Sequence, residues 1–162
     1  MAGILIAMSS VVAQALESGV LTAADVQRLL PATFFYSGQS APVQMRNAAG
    51  VRSAHGKVLL AALVDVSGYS SAITEKYQGL LLLDGTAKVG GKPLAAGAYG
   101  LGVLPDGSFL VTDLGGGTVL SAALTNDDTM RRPVPLQIRE VDGKFRLYLG
   151  KKYVTLEFAA TH

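Results

Sequence analysis

The stretch from Leu94 to Asp113 (LAAGAYGLGVLPDGSFLVTD) constrains this chain more than any other, because turn chemistry and side-chain pattern agree on a single hairpin. Leu104-Pro105-Asp106-Gly107 places Pro at the second and Gly at the fourth position of a type I turn. Gly107 at positive φ then closes a three-residue loop with a bulge. That register pairs Leu104 with Ser108, Val103 with Phe109, Leu101 with Val111 and Tyr99 with Asp113. One face carries Tyr99, Leu101, Val103, Phe109 and Val111. A two-residue Asp-Gly loop would shift every partner by one and scatter those residues over both faces. The longer loop is the consistent choice.

Other turns repeat the theme. Asp142-Gly143 predicts a two-residue hairpin with Leu136, Ile138, Phe145, Leu147 and Leu149 on one face and Gln137, Arg139, Lys144, Arg146 and Tyr148 on the other. Gly90-Gly91 predicts another between Ala87-Lys88-Val89 and Lys92-Pro93-Leu94. Lys57–Val66 and Tyr77–Leu83 are nearly continuous apolar runs, which suit strands covered on both faces. Phe34-Phe35-Tyr36 and Val43-Gln44-Met45-Arg46 read as short strands divided by Ser-Gly-Gln-Ser-Ala-Pro. Thr118–Leu124 and Tyr153–Phe158 add two more. Thr22 caps a two-turn helix, with Asp25 reaching back, Leu21 stapled on Val26, and Pro31 as its stop. A second capping pattern at Thr125–Asp128, with Asp127/Arg131 and Asp128/Arg132 four apart, predicts one solvated helical turn. The expected fold is mainly β: an antiparallel sandwich or barrel of about eight to ten strands with one short N-terminal helix.

The domain proper spans residues 16–162, preceded by residues 1–15 (MAGILIAMSSVVAQA). This first segment carries no charge and is shorter than the roughly 20 residues of a membrane-spanning helix. It resembles the later part of a secretory signal, with Ala13-Gln14-Ala15 fitting a small-x-small cleavage site, but it lacks a positive n-region. The alternative is a retained segment in which Ile4, Leu5, Ile6, Val11 and Val12 dock on a groove or sheet edge and drive assembly.

Charged residues make up only 16% of the chain, against about 25% in ordinary soluble domains. Either a neutral polar surface or coverage by another chain follows. A net charge of +2 and the lack of any long basic run argue against nucleic acid. Cysteine is absent, so disulfides and thiolate metal sites are excluded.

Leu94-Ala-Ala-Gly-Ala-Tyr-Gly-Leu101, the apolar strand before it and Arg146-Leu-Tyr-Leu-Gly-Lys-Lys-Tyr153 after it resemble exported bacterial β-rich proteins of unknown function that carry an L-P-A-G-x-Y-x-L segment. The similarity covers roughly residues 57–155, and Ala95 stands where that family tends to have Pro. The resemblance implies export, to the periplasm or the exterior, and supplies no catalytic residues.

Chemistry is sparse. His55 is the only histidine besides His162, so a Ser-His-Asp arrangement would need it, with Ser53, Ser70 or Ser71 as nucleophile and Asp65 or Asp113 as orienter. No Gly-x-Ser-x-Gly elbow accompanies it, and His55-Gly56 reads better as a turn. A zinc site would need several carboxylates beside this one imidazole. Gly97–Gly102 and Gly115–Gly117 lack the strand-then-helix setting of a phosphate loop, and close packing explains strand glycines better. Tyr148-x-x-x-Lys152 has a dehydrogenase spacing without a dinucleotide fold around it. No catalytic residue, metal or cofactor is expected.

Seven of the fourteen basic residues fall between Arg131 and Lys152. Arg139, Lys144, Arg146 and Tyr148 form a candidate face for an anion or acidic partner, or else a solvated face relieved by Glu140 or Glu157. Tyr69, Tyr77 and Tyr99 either line a ligand cavity or belong to the core. The expectation is a non-enzymatic structural or interaction domain, secreted and self-associating as a homo-oligomer or filament. The alternative is a sandwich or barrel with an apolar pocket for a small ligand.

Overall fold

A computed structural model describes residues 17–160, so the candidate assembly residues Ile4, Leu5, Ile6, Val11 and Val12 lie outside the described part. The chain runs β1 (Gly19–Val20), α1 (Ala23–Leu29), β2 (Thr33–Tyr36), β3 (Gln39–Arg52), β4 (Val58–Val64), α2 (Ser71–Thr74), β5 (Gly79–Leu83), β6 (Ala87–Val89) and β7 (Lys92–Leu94). It continues through β8 (Gly97–Val103), β9 (Ser108–Thr112), β10 (Thr118–Ala123), β11 (Thr125–Asn126), β12 (Gln137–Val141), β13 (Lys144–Leu149) and β14 (Lys152–Phe158). All pairings are antiparallel. One sheet has the order β1-β3-β4-β5-β8-β9-β10 with β2 beside β3, and the other β12-β13-β14-β6-β7 with β11 beside β14. The result is sandwich-like, and the sheets do not close into a barrel.

The organising hairpin has the register its turn dictates. Leu101 faces Val111 and Val103 faces Phe109. The Leu104 N–H donates to the Ser108 carbonyl (2.9 Å), and Gly107 has φ 84°. The Asp142-Gly143 hairpin also holds, pairing Ile138 with Leu147 and Arg139 with Arg146. The helix begins at Thr22, whose hydroxyl accepts the Asp25 N–H, as its capping residues require.

The continuous apolar runs are explained by two cores. Leu59, Ala61, Leu81, Leu101, Phe109 and Val111 point between the sheets, onto Val89, Ile138, Leu147, Val154 and Leu156. On the outer face of the first sheet, Leu60, Ala62, Val64 and Leu80 meet Val26 and Leu30 from α1, Phe34 and Tyr36 from β2, and Tyr77. A strand buried on both sides has no polar face to show, so strict alternation disappears.

Three local expectations need correction. Phe34–Tyr36 and Val43–Arg46 are not two separate short strands: β3 is one strand of 14 residues, and the two-residue turn Ser37-Gly38 joins it to β2. Pro42 sits inside it, where the ladder is carried by its neighbours: the Val43 N–H reaches the Ala32 carbonyl (2.9 Å), and the Asp65 N–H reaches the Pro42 carbonyl (2.9 Å). A register shift between Val43 and Ala48 lets the first part of β3 leave the sheet with β2 as a ribbon over the second core. The helical turn at Thr125–Asp128 does not form. Asp127 instead accepts from the Thr129 N–H (3.0 Å) and hydroxyl (2.6 Å) and from the Tyr148 hydroxyl (2.7 Å). Those donors outbid a solvated pairing with Arg131, and no Asp127/Arg131 or Asp128/Arg132 ion pair occurs among the described residues. Finally, a second helix of four residues, α2, precedes β5, beyond the one short N-terminal helix expected.

The strand glycines of β8 have a packing reason. A Cβ on Gly102 would stand 2.3 Å from the Glu75 carbonyl oxygen, and one on Gly100 2.8 Å from the Tyr36 ring. The segment after α2 and the β2–β3 ribbon both rest on bare backbone there.

Candidate functional site: a groove at one end of the sandwich

Arg139, Lys144, Arg146 and Tyr148 share a face as their register requires, yet they do not converge on one point. Tyr148 is buried, 1% exposed, beneath the segment that follows β11. Its hydroxyl donates to Asp127 and lies 3.4 Å from an Arg146 guanidinium nitrogen. Arg146 is also 4.0 Å from the Asp127 carboxylate and stacks over the Tyr153 ring at 4.2 Å. Arg139, directly opposite Arg146, donates to the Gln137 side chain (3.0 Å) and lies 6.0 Å from the Tyr148 ring. Aromatic faces and Asp127, rather than Glu140 or Glu157, relieve the like-charge pair. The hydrogen bond that Arg146 donates to the Tyr148 hydroxyl raises the Arg146 pKa above its usual value. Burial raises that of Tyr148, and the bonds from Thr129 and then Tyr148 lower that of Asp127.

Lys144 belongs elsewhere. With Phe145 it lines an open groove of about 670 Å3 at the end of the sandwich, beside the Asp142-Gly143 turn. The groove is completed by Ser18 before β1, Arg52 at the end of β3, Ser53 and His55 in the turn after it, and Thr155 to Ala160 from β14 and beyond. Arg52 is half-buried at the end of β3, and its Nε is out of contact with water and has no hydrogen-bond partner among the described residues. Among the described residues no carboxylate pairs with it.

His55 is exposed at this end, but no triad surrounds it. The Ser53 hydroxyl accepts the N–H groups of His55 (3.3 Å) and Lys57 (3.0 Å), so it shapes the turn into β4. Asp65 lies beyond the opposite end of β4, Ser70 is the N-cap of α2 and Ser71 its first residue. Asp113 is occupied in its own glycine turn, accepting from Gly115 and Gly117 (both 2.9 Å). No cluster of three or more His, Cys, Asp and Glu side chains suited to a metal occurs among the described residues.

The three tyrosines do not share a cavity. Tyr77 and Tyr69 belong to the core under the ribbon, whereas Tyr99 packs against the core between the sheets. Tyr69 donates to the Ser40 carbonyl and Tyr99 to the Ala95 carbonyl (2.8 Å), so each hydroxyl is spent locally.

No protein-family model matches the chain, and neither a curated protein nor a solved structure matches it at a significant level. Function therefore rests on these surfaces alone. Sequence reasoning named Lys144, Ser53 and His55 but missed Arg52, because a groove built from the ends of several strands leaves no local pattern.

Proposed function

We propose that this chain is an exported, non-enzymatic β-domain whose work is structural, joining copies of itself through the apolar segment Gly3–Val12. The observation that carries the reading is the free edge of β2. Among the described residues that strand is bonded to β3 alone; its Phe35 is 61% exposed, and Leu114 on the neighbouring segment is 41% exposed. The Leu114 carbonyl accepts the Ser37 N–H at 2.7 Å, which brings the two segments together. An unpaired edge beside exposed apolar side chains is a template for strand addition.

The position of that edge favours a head-to-tail arrangement. β1 pairs with β3 at Val51 and Arg52, whereas β2 pairs with it at Gln39 to Pro42. β1, which follows the proposed donor segment in the chain, and the acceptor edge thus pair with opposite ends of the longest strand, about 30 Å apart along its contour. Repeating such a contact without closure gives fibres. The low charge content and the resemblance to exported β-rich proteins support the same reading.

The test compares the full chain with a chain starting at Leu16 and with Phe35→Lys, by light scattering and negative-stain electron microscopy. Assembly by the full chain, abolished in both variants, is the expected result. A full chain that stays monomeric at high concentration, or variants that assemble unchanged, overturns the proposal.

A further inference from the structure

We infer that the outer face of the second sheet binds an extended, sparsely charged acidic polysaccharide, its carboxylates held by Lys88, Arg139 and Lys144. The inference goes beyond self-association and rests on a different surface. Charge divides between the two layers of the sandwich. The segments that build the second sheet, residues 86–96 and 124–160, hold nine Lys and Arg against five Asp and Glu. Those that build the first, residues 17–85 and 97–123, hold five against seven. Such an excess on one layer steers anions toward it.

Register gathers part of this excess on one flat face. Arg139 stands opposite Arg146, and Arg146 opposite Thr155. In the next row of the same face Lys144 neighbours Glu157, which stands opposite Lys88. The rows repeat about every 7 Å along the strands and about every 4.8 Å across them. Four cations thus share the face with one hydroxyl and one carboxylate. Arg146 is held by Tyr148 and Tyr153. Lys88, Arg139 and Lys144 are exposed, and no carboxylate pairs with them among the described residues. α1 and the β2–β3 ribbon clad the outer face of the first sheet, whereas Lys88, Thr155 and Glu157 are open to water.

The same pattern selects the occupant. Nucleic acid carries a phosphate about every 3.4 Å of each strand, and so dense a polyanion would press against Glu157. A bilayer is met through apolar side chains, and no large exposed one stands on β6, β12, β13 or β14. An added peptide strand needs a free backbone edge, which β13 and β14, bonded on both sides, lack. A sugar chain fits on each count. Its carboxylates are spaced by hydroxyls, which can donate to Glu157 and bond with Thr155 between the cations.

The experiment titrates the full chain by calorimetry with oligogalacturonate, its methyl ester, single-stranded oligothymidylate and phosphatidylglycerol vesicles. Oligogalacturonate should bind, more weakly as salt rises, and the other three should each bind at least about tenfold more weakly. Lys88→Gln and Arg139→Gln should each weaken oligogalacturonate about threefold, and the two together about tenfold, as exposed ion pairs do. Glu157→Gln should tighten it, and Lys76→Gln, beside α2 on the opposite layer, should leave it unchanged. All four side chains are exposed, so thermal midpoints should hold in every variant. The inference is overturned if oligogalacturonate does not bind at low salt, or if its ester, oligothymidylate or the vesicles bind as well. It is equally overturned if the Lys88→Gln, Arg139→Gln pair keeps wild-type affinity, if Glu157→Gln binds no tighter, or if Lys76→Gln weakens binding as much as Lys88→Gln.

Discussion

Tyr36 lies nearly flat on Tyr77, with ring centroids 4.3 Å apart and the planes inclined by 16°. The contact pins the β2–β3 ribbon to the first sheet, since Tyr36 comes from the ribbon and Tyr77 from the segment leading into β5. Both rings are buried, yet their hydroxyls fare differently. The Tyr77 hydroxyl donates to the Phe34 carbonyl at 3.2 Å, and burial pushes its pKa far above the usual tyrosine value, so it remains a donor. The Tyr36 hydroxyl is buried without a partner among the described residues.

Removing each hydroxyl should therefore have unequal effects. Tyr77→Phe is expected to cost about 1 kcal/mol, the net worth of a buried hydrogen bond. Tyr36→Phe keeps the stack and removes an unsatisfied group, so stability should stay level or rise by up to about 1 kcal/mol. Urea unfolding of both variants checks the contrast. Equal losses would mean that a bound water satisfies Tyr36, and the asymmetry would be void.

Gly107 isolates backbone strain from packing. A Cβ there would meet nothing nearer than the Lys152 ammonium at 3.8 Å, while φ stands at 84°. Gly107→Val should destabilise by at least about 1 kcal/mol through the forced positive φ of a β-branched residue. Gly107→Asn, which tolerates that region, should cost distinctly less. Thermal midpoints that are the same for Val and Asn would show that the turn is not what holds the hairpin.

The turns were the most legible part of this fold because their chemistry is local. Pro105-Asp106-Gly107 and Asp142-Gly143 fix loop length, loop length fixes register, and register sorts Phe109 and Leu147 inward. Where contacts are distant, the sequence falls silent. The ribbon depends on a register shift between Val43 and Ala48 and on the fit of Tyr36 over Gly100, neither of which leaves a periodic trace. Ser37–Pro42 reads as one dividing stretch, whereas the turn takes only Ser37-Gly38 and the residues from Gln39 to Pro42 already pair with β2. Asp127 misled for a related reason. Its capping pattern is real, but the groups that claim it are Thr129 beside it and Tyr148 on another strand. The groove was half legible: Lys144 follows from its hairpin, while Arg52 enters only because the end of β3 and the start of β13 line the same groove.

The basic face of the second sheet divides into a structural and an idle part, and its pH dependence should reveal which is which. Arg146 and Tyr148 converge on Asp127, which ties the segment after β11 to the sheet. Arg139 is exposed and bonds only to Gln137 among the described residues. Arg146→Gln should therefore lower the urea midpoint, and Arg139→Gln should leave it within error. Asp127 adds a signature that a simple packing role would lack. Bonds from Thr129 and Tyr148 hold its folded pKa below the ordinary carboxylate value, so the ionised form favours the folded state. That contribution is complete above the unfolded pKa of about 3.9 and fades as pH falls through the lower folded value. Asp127→Asn should accordingly be less stable than the native chain at pH 7, and the gap should narrow steadily below about pH 4. A gap that stays constant down to pH 3 would mean that the carboxylate's charge does nothing there, and that Asp127 serves only as a turn residue.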